Sequence, residues 1–405
     1  MRILVLGLNH APEPIGIGPY TAGTLAALAA AGHQLRLVTA HAYYPGWALD
    51  PADRPLRYRR EQRDGVDVRR CPLYVPRKPT GTRRLAHHLS FALAALPPML
   101  AAAAWFRPEL VLTVAPSLLS APLAKLAALL TGARLWVHVQ DFETEAALAT
   151  GLLGGPLAWM AHRFEAAVLH SADTVSSISP QMCRRLEEKG VAPERVVEFR
   201  NWADTHAIAP LGASSRYRSE WGLGNRHVAL YSGSIANKQG IEILVEAAHR
   251  LAEREDIAFV ICGDGPNRAQ LEARAAGLPN LQFRPLQPAE RMGELLGLAS
   301  VHLLPQLAGA ADLVLPSKLA NMLASGRPVV ATAAPGTGIA REIEGCGLAT
   351  PPGDPAALAA AIVALIDDGS RAAAMGTAAR ARAEARWSRA AILEGFVARI
   401  GAAAA

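Results

Sequence analysis

The sequence predicts an α/β protein made of two doubly wound domains, each with a mostly parallel sheet covered by helices on both faces. Three observations predict it. Short runs rich in Val, Ile and Leu alternate with Ala- and Leu-rich helical stretches along nearly the whole chain. That is the pattern of strands buried on both faces and joined by crossover helices. The chain has 405 residues, about two to three times the commonest domain size. The alternation also restarts near residues 205–225, after Asn201-Trp202-Ala203-Asp204 and a polar stretch. Domains are therefore expected over 1–205 and 206–387, with a last helix over 388–405 that packs back on the first domain.

In the first domain, strands are expected at 2–8 (RILVLGL), 35–39 (LRLVT), 109–114 (ELVLTV), 134–139 (RLWVHV), 173–178 (DTVSSI) and 195–199 (RVVEF). Helices such as 20–31, 117–131 and 157–170 lie between them. The second domain offers strands at 227–232, 257–262, 300–304 and 328–331. The amino-terminal apolar run is short and is followed by polar and Pro positions, so it reads as a first strand, not a secretory signal, and a cytoplasmic location is expected. Residues 85–106 are long and apolar, yet Pro97-Pro98 in their middle argue against a membrane-spanning helix. Two readings stand: a core helix followed by a loop, or a surface-lying segment that docks on an anionic membrane.

Composition narrows the function classes. Hydrophobic residues make up 51% and charged residues 19%, which excludes a disordered chain. The four cysteines (Cys71, Cys183, Cys262, Cys346) form no CxxC pair, which argues against a zinc ribbon or a disulfide framework and for a reducing compartment. The net charge is +6, and residues 54–84 hold 11 basic side chains against Glu61, Asp64 and Asp67. Such a stretch, with Arg57, Arg59, Arg60 and Arg63 at its centre, fits nucleic acid, anionic lipid or a phosphorylated substrate. No nucleic-acid-binding signature accompanies it, which makes that reading the weakest.

Three segments carry binding chemistry. Glu13-Pro14-Ile15-Gly16-Ile17-Gly18-Pro19-Tyr20 joins a strand to a helix. Its glycines let backbone approach a ligand, and the helix start offers free N–H groups to a phosphate. The GxGxxG spacing of a nicotinamide site is absent. Tyr231-Ser232-Gly233-Ser234-Ile235-Ala236-Asn237-Lys238-Gln239-Gly240 repeats the architecture in the second domain, and Lys238 in this turn suits a diphosphate. Pro316-Ser317-Lys318-Leu319-Ala320-Asn321 opens a helix with a hydroxyl and a lysine. Asn321 lies one turn on, near the face of Ser317, where it can meet a ribose hydroxyl.

These segments, with AYYPGW (42–47), HVQDFE (138–143), FRNWAD (199–204), ICGDGP (261–266) and DLVLPSKLANMLASGRPVVAT (312–332), carry a family likeness. The chain resembles family 4 retaining glycosyltransferases of the GT-B fold, most closely the colanic-acid-type exopolysaccharide transferases often described as fucosyltransferases. The resemblance implies two Rossmann-like domains facing a deep cleft, with the acceptor on the first and a nucleotide-diphosphate sugar on the second. It implies that Gly16 and Gly18 offer amides to the distal phosphate. Lys238 would neutralise the diphosphate, with Ser317, Lys318 and Leu319 opposite. Gly233, Ser234 and Gly263 would complete the donor site, Pro285 and Leu286 would border the base, and His138 and Asp141 would face the transferred sugar. The family commonly shows Glu-x7-Glu; here Asn321 stands at the second Glu and Leu313, beside Asp312, at the first.

The expected reaction needs no metal, because lysines, glycine-loop amides and helix starts stabilise the leaving diphosphate. Front-face attack is favoured for retention, with Asp141 as helper base or nucleophile the competing idea. GDP-fucose follows from the subfamily likeness, and UDP-hexoses stay open. An undecaprenyl-diphosphate-linked acceptor and peripheral contact with the inner face of the cytoplasmic membrane are expected, and no nucleic acid. The rival readings are an epimerase or hydrolase of the same architecture and a non-catalytic nucleotide-sugar-binding subunit.

Overall fold

The structure is a computed structural model that describes residues 1–14, 16–53, 57–142, 144–145, 155–235, 239–307 and 316–402. The chain divides into two units, Met1–Arg200 with Leu393–Ala405, and Asn201–Ile392. The boundary falls at residue 200, not 205. Ala203 belongs with the second unit because its N–H donates to the Trp387 carbonyl and its carbonyl accepts from the Arg389 N–H.

The first unit runs β1 (Arg2–Gly7), α1 (Gly18–Ala30), β2 (Gln34–Ala40), β3 (Arg59–Arg63), β4 (Val66–Cys71), α2 (Gly81–Ala101), β5 (Leu110–Ala115), α3 (Ala121–Thr131), β6 (Arg134–Val139), α4 (Gly155–Ser171), β7 (Thr174–Ser177), α5 (Pro180–Glu188) and β8 (Val196–Glu198). The sheet order is β3-β4-β2-β1-β5-β6-β7-β8, parallel except at the β3–β4 hairpin. From β1 the chain winds first toward β2 and then back to β5 on its other side. The carboxyl ends of β1 and β5 therefore form a switch point, the usual ligand crevice of such sheets. β1 and β5 are almost wholly buried, which is why they read as continuous apolar runs.

The hairpin is absent from the expected strands because RREQR and VDVRRC hide a half-buried alternation under charge. Its turn was nevertheless legible: Asp64 and Gly65 both have positive φ, 50° and 81°, the two-residue hairpin turn that Asp-Gly favours.

α2 departs from the expected break. It runs unbroken through Pro97 and Pro98 and continues as a π-helical turn over Ala102–Phe106. Proline removes the N–H that would bond the carbonyl four residues back. The Tyr58 hydroxyl meets part of that deficit by donating to the Ala94 carbonyl at 2.9 Å, the acceptor that Pro98 leaves free. His87, Phe91, Ala95 and Met99 bury one face of α2, while Leu85, Leu89, Leu93 and Leu100 stay exposed on the other.

The second unit runs β9 (His227–Ser232), α6 (Glu242–Arg250), β10 (Ile257–Cys262), α7 (Arg268–Arg274), β11 (Leu281–Arg284), α8 (Met292–Gly297), β12 (Val301–Leu304), α9 (Ser317–Ala324), β13 (Val329–Thr332), α10 (Gly338–Ile343), β14 (Gly347–Thr350), α11 (Pro355–Asp367), α12 (Gly369–Trp387) and α13 (Arg389–Ala402). The sheet is fully parallel, β11-β10-β9-β12-β13-β14, with its switch point between β9 and β12. The end of α13 belongs to the first unit. There Phe396 stacks on Phe199 with ring centroids 3.9 Å apart and meets Trp136 edge-on at 5.4 Å. Burying a ring of this size contributes about 1.5–3 kcal/mol.

Candidate functional site

In the first unit the turn after β1 is shaped by a buried carboxylate. Glu13 Oε1 accepts from the Tyr43 and Tyr44 amides at 3.2 and 3.1 Å, and Oε2 accepts from Asn9 Nδ2 at 2.9 Å. Burial pushes its pKa up, and the hydrogen bonds from Asn9 and the two amides oppose the rise. Glu13 thus ties the turn after β1 to the loop after β2. Gly16 is held to glycine by its positive φ, and Gly18 packs tightly enough that a side chain there would displace Glu13. A Cβ on Gly16, whose φ is +77°, would lie 3.1 Å from the Tyr44 ring, and one on Gly18 would lie 3.0 Å from the Glu13 Cβ. α1 starts at Gly18, and the amides of a first helical turn have no partner within the helix.

His138 and Asp141 part company. Asp141 is exposed just beyond β6. His138 is only 3% exposed, so the expectation that it faces a sugar is corrected. Its Nδ1 is 2.8 Å from Ser176 Oγ and its Nε2 is 3.0 Å from Gln140 Nε2. Gln140 can only donate there, so Nε2 accepts and Nδ1–H donates to Ser176. Ser176 Oγ also accepts from Trp136 Nε1 at 2.8 Å. Burial drives the imidazole pKa down to about 3. His138 is a satisfied, neutral core histidine that braces the end of β6.

The four arginines also separate. Side chains on a strand alternate between faces, so Arg59 and Arg63 share one face of β3 with Glu61, while Arg60 points the other way and bonds Asp67 Oδ1 at 3.0 Å. Arg59 reaches Asp53 at 3.5 Å and Glu61 at 3.6 Å. Arg57 is exposed outside the strand. A single basic face formed by all four does not exist.

In the second unit, Gly233, Ser234, Gly263 and Pro285 of the predicted donor residues lie together at the carboxyl ends of β9, β10 and β11. Gly233 N–H donates to the Cys262 carbonyl at 3.0 Å, Ile235 N–H to Asp264 at 2.8 Å, and Gly263 N–H to Arg284 at 3.0 Å. A Cβ on Gly263 would fall 1.9 Å from the Gly233 carbonyl oxygen, and one on Gly265 would fall 2.2 Å from that of Ile235. Glycine is obligatory at both positions because backbone crosses backbone there. Arg268 Nη1 then clasps the carbonyls of Gly263 at 2.7 Å and Arg284 at 3.2 Å. The Pro285 carbonyl accepts from Gln287 at 2.7 Å, and Leu286 is exposed beside it.

Lys318 joins this cluster from the start of α9. Its Nζ lies 3.0 Å from the Tyr231 hydroxyl and 4.4 Å from the centre of that ring. A Cβ on Gly233 would be 3.5 Å from this ammonium. The Tyr231 hydroxyl in turn donates to the exposed Ser234 carbonyl at 2.6 Å, and burial raises its pKa, so it keeps its proton. Leu319 is a correction: its side chain is fully buried and its N–H already donates to the Pro316 carbonyl at 2.9 Å. Asn321 is half-buried one turn further on, and Ser317 opens the helix. Lys238, Asp312 and Leu313 lie outside the described residues.

Sequence reasoning missed the Glu13 tie, the Tyr231–Lys318 contact and the Arg268 clasp. Glu13 sits within the glycine segment itself, and its spacing of three from Gly16 was the available signal.

Comparison with known proteins accords with this layout. Residues 16–202 match the glycosyl transferase 4-like domain family, and residues 226–368 match the glycosyl transferases group 1 family. The colanic acid biosynthesis glycosyl transferase WcaI of Escherichia coli K12 is 43% identical over 342 residues, covering 82% of this chain and 83% of that protein. Among solved structures, sucrose-phosphate synthase of Thermosynechococcus elongatus superposes with a TM-score of 0.74 at 21% identity, covering 100% of both chains. Anabaena HepE in complex with UDP-glucose gives 0.69 at 17% identity, covering 99% of this chain and 100% of that one. With two doubly wound units and these relatives, the chain is a GT-B-fold enzyme and belongs to the family of glycosyltransferases that join a 4-like domain to a group 1 domain.

Proposed function

We propose that the enzyme moves a sugar, with retention of anomeric configuration, from a nucleotide-diphosphate sugar to a lipid-linked oligosaccharide in exopolysaccharide or lipopolysaccharide biosynthesis. The observation that carries this reading is the Lys318 ammonium held over Tyr231 beside Gly233, where crossed glycine loops end β9 and β10. HepE, of like fold, is described in complex with UDP-glucose, and the relative from E. coli is named for colanic acid biosynthesis. GDP-fucose and UDP-hexoses are the candidate donors. As the anomeric C–O bond breaks, negative charge gathers on the departing diphosphate. Lys318 and Lys238 stabilise that charge without a metal, each such group contributing about 10²–10³ in rate. The departing phosphate oxygen takes the acceptor's proton on the front face. Asp141, exposed beyond β6, is the alternative base.

The acceptor's lipid calls for contact with the inner face of the cytoplasmic membrane, and α2 supports it. Leu85, Leu89 and Leu93 form an exposed ridge, and Trp105 beyond them is 82% exposed. Arg77, Lys78, Arg83 and Arg84 are exposed at the start of the ridge and Arg107 at its end. Right-handed crossovers from β4 to β5, β5 to β6 and β6 to β7 step the same way along the sheet and so set α2, α3 and α4 on one face. Leu129, Leu130, Trp159 and Met160 are exposed on the latter two. Apolar ridges flanked by cations suit an anionic bilayer surface.

Thermal melting with GDP- and UDP-sugars tests the donor reading, since a ligand that binds only the folded state raises the midpoint. One nucleotide class is expected to raise it, and no response to any of them would overturn the reading. With that donor, transfer to an undecaprenyl-diphosphate-linked saccharide is expected to persist in EDTA and to fall at least about 100-fold in Lys238→Ala. Donor consumption without an acceptor would instead indicate a hydrolase or epimerase.

A further inference from the structure

The first unit holds a cavity of about 580 Å³ at the carboxyl ends of β1 and β2, closed on one side by the β3–β4 hairpin. Its size lies in the range of small-molecule sites, roughly 300–1,000 Å³. Most of the charge in its wall is matched from within. Arg70, 3% exposed, bonds Glu61 Oε1 through Nε at 3.0 Å and Nη2 at 2.7 Å, and also reaches the carbonyls of Ala11 and Ala40. Asp53 Oδ1 faces His41 Nδ1 at 3.2 Å and Arg59 at 3.5 Å. Glu13 is held by amides, as described above.

Arg63 differs. It lies on the cavity face of β3, half-buried, near enough to Glu61 for its charge to help hold that carboxyl's pKa down, yet among the described residues its guanidinium makes no hydrogen bond and no ion pair within 4 Å. A guanidinium fork without a partner at a cavity wall is completed best by a carboxylate or phosphate, which it binds through two parallel hydrogen bonds. The rest of the wall suits a polyol. The carboxylates of Asp50, Asp53 and Glu61 keep lone pairs for hydroxyl donors, and Tyr44 supplies an aromatic ring. That ring also packs against Gly16, which places the cavity beside the glycine turn at the switch point of the sheet.

We infer that this cavity binds an anionic saccharide, a sugar ring whose carboxylate or phosphate pairs with Arg63 while its hydroxyls meet the neighbouring carboxylates. The inference rests on the transferase reading and deepens it: the cavity is a subsite for the acceptor glycan.

Saturation-transfer NMR on the full chain tests it, with D-glucuronate, D-glucose 6-phosphate and D-glucose as probes. A saturating nucleoside diphosphate is present to fill the donor site. One anionic probe is expected to bind at least about fivefold more strongly than glucose, and which one identifies the anion as carboxylate or phosphate. Arg63→Gln is expected to abolish that preference and Arg63→Lys to retain part of it, both with unchanged melting temperature. Glucose binding equal to both anions, an anion signal that survives Arg63→Gln, or no binding of any probe at 50 mM, taken as about the upper limit of a useful affinity, would overturn the inference. A failure of the transferase reading is separate, because it appears in the wild-type chain as an absent response to every nucleotide sugar.

Discussion

At the scale of single residues, the site depends on what is missing from Gly263. Its Cβ would sit 1.9 Å from the Gly233 carbonyl oxygen, a distance no side-chain adjustment relieves, because both partners are backbone. Gly263→Ala is therefore expected to part the loops after β9 and β10, at a cost of about 1–3 kcal/mol. The melting temperature should fall and the nucleotide-induced rise should be lost. A variant that melts and responds like the wild type would show that the crossing does not shape the site. His138 teaches the opposite lesson. Its position in a motif pointed to chemistry, yet burial and two hydrogen bonds make it structural. The motif alone cannot separate these roles, since the same spacing serves a histidine facing inward or outward from the end of a strand.

At the scale of elements, α2 combines two demands that are seldom met in one helix. Its inner face, through Phe91, Ala95 and Met99, is core. Its outer face keeps Leu89 and Leu93 exposed, the latter at 65%, although each buried leucine would contribute about 1.5–3 kcal/mol. Replacing both by Glu leaves the core face untouched, so the melting temperature is expected to change by little, while flotation with vesicles rich in phosphatidylglycerol is expected to drop at least about tenfold. This is equivalent to losing about 1.4 kcal/mol or more of membrane affinity. Unaltered flotation would reduce the ridge to an ordinary surface. Here the sequence was legible in part. The apolar run and its basic flank were plain, but Pro97-Pro98 read as a break because the compensating donor, Tyr58, comes from a segment 36 residues away. The β3–β4 hairpin escaped for a related reason: ion pairs from Asp67 to Arg36, Arg60 and Arg69 stabilise strands whose composition alone favours solvent.

At the scale of the whole molecule, buried imidazoles set the response to acid. Burial pushes His138 and His302 down to about 3, and His10 and His87 down to about 4, from an ordinary value of 6.5. The folded chain therefore keeps these rings neutral where the unfolded chain protonates them. Their contribution is fully present above pH 6.5 and is lost as pH falls below it, each ring approaching about 1.4 kcal/mol per pH unit. Urea midpoints are expected to stay level from pH 8 to 7 and to decline from pH 6.5 to 5, before most carboxylates titrate. An unchanged midpoint between pH 7 and 5 would contradict this account.

The sequence by itself determined the α/β class, the two doubly wound units, nearly all the central strands and the glycine-rich segments of the site. These are encoded locally, in apolar runs between helices and in turns that only glycine can make. Tertiary structure decided the rest: that Lys318 rests on Tyr231, that His138 is core, that the arginines of β3 divide between two faces, and that Arg63 opens into a cavity beside Glu13. Each of these depends on which residues distant in sequence share one low-dielectric neighbourhood, and the pattern of a single strand or helix carries no record of its neighbours' charge.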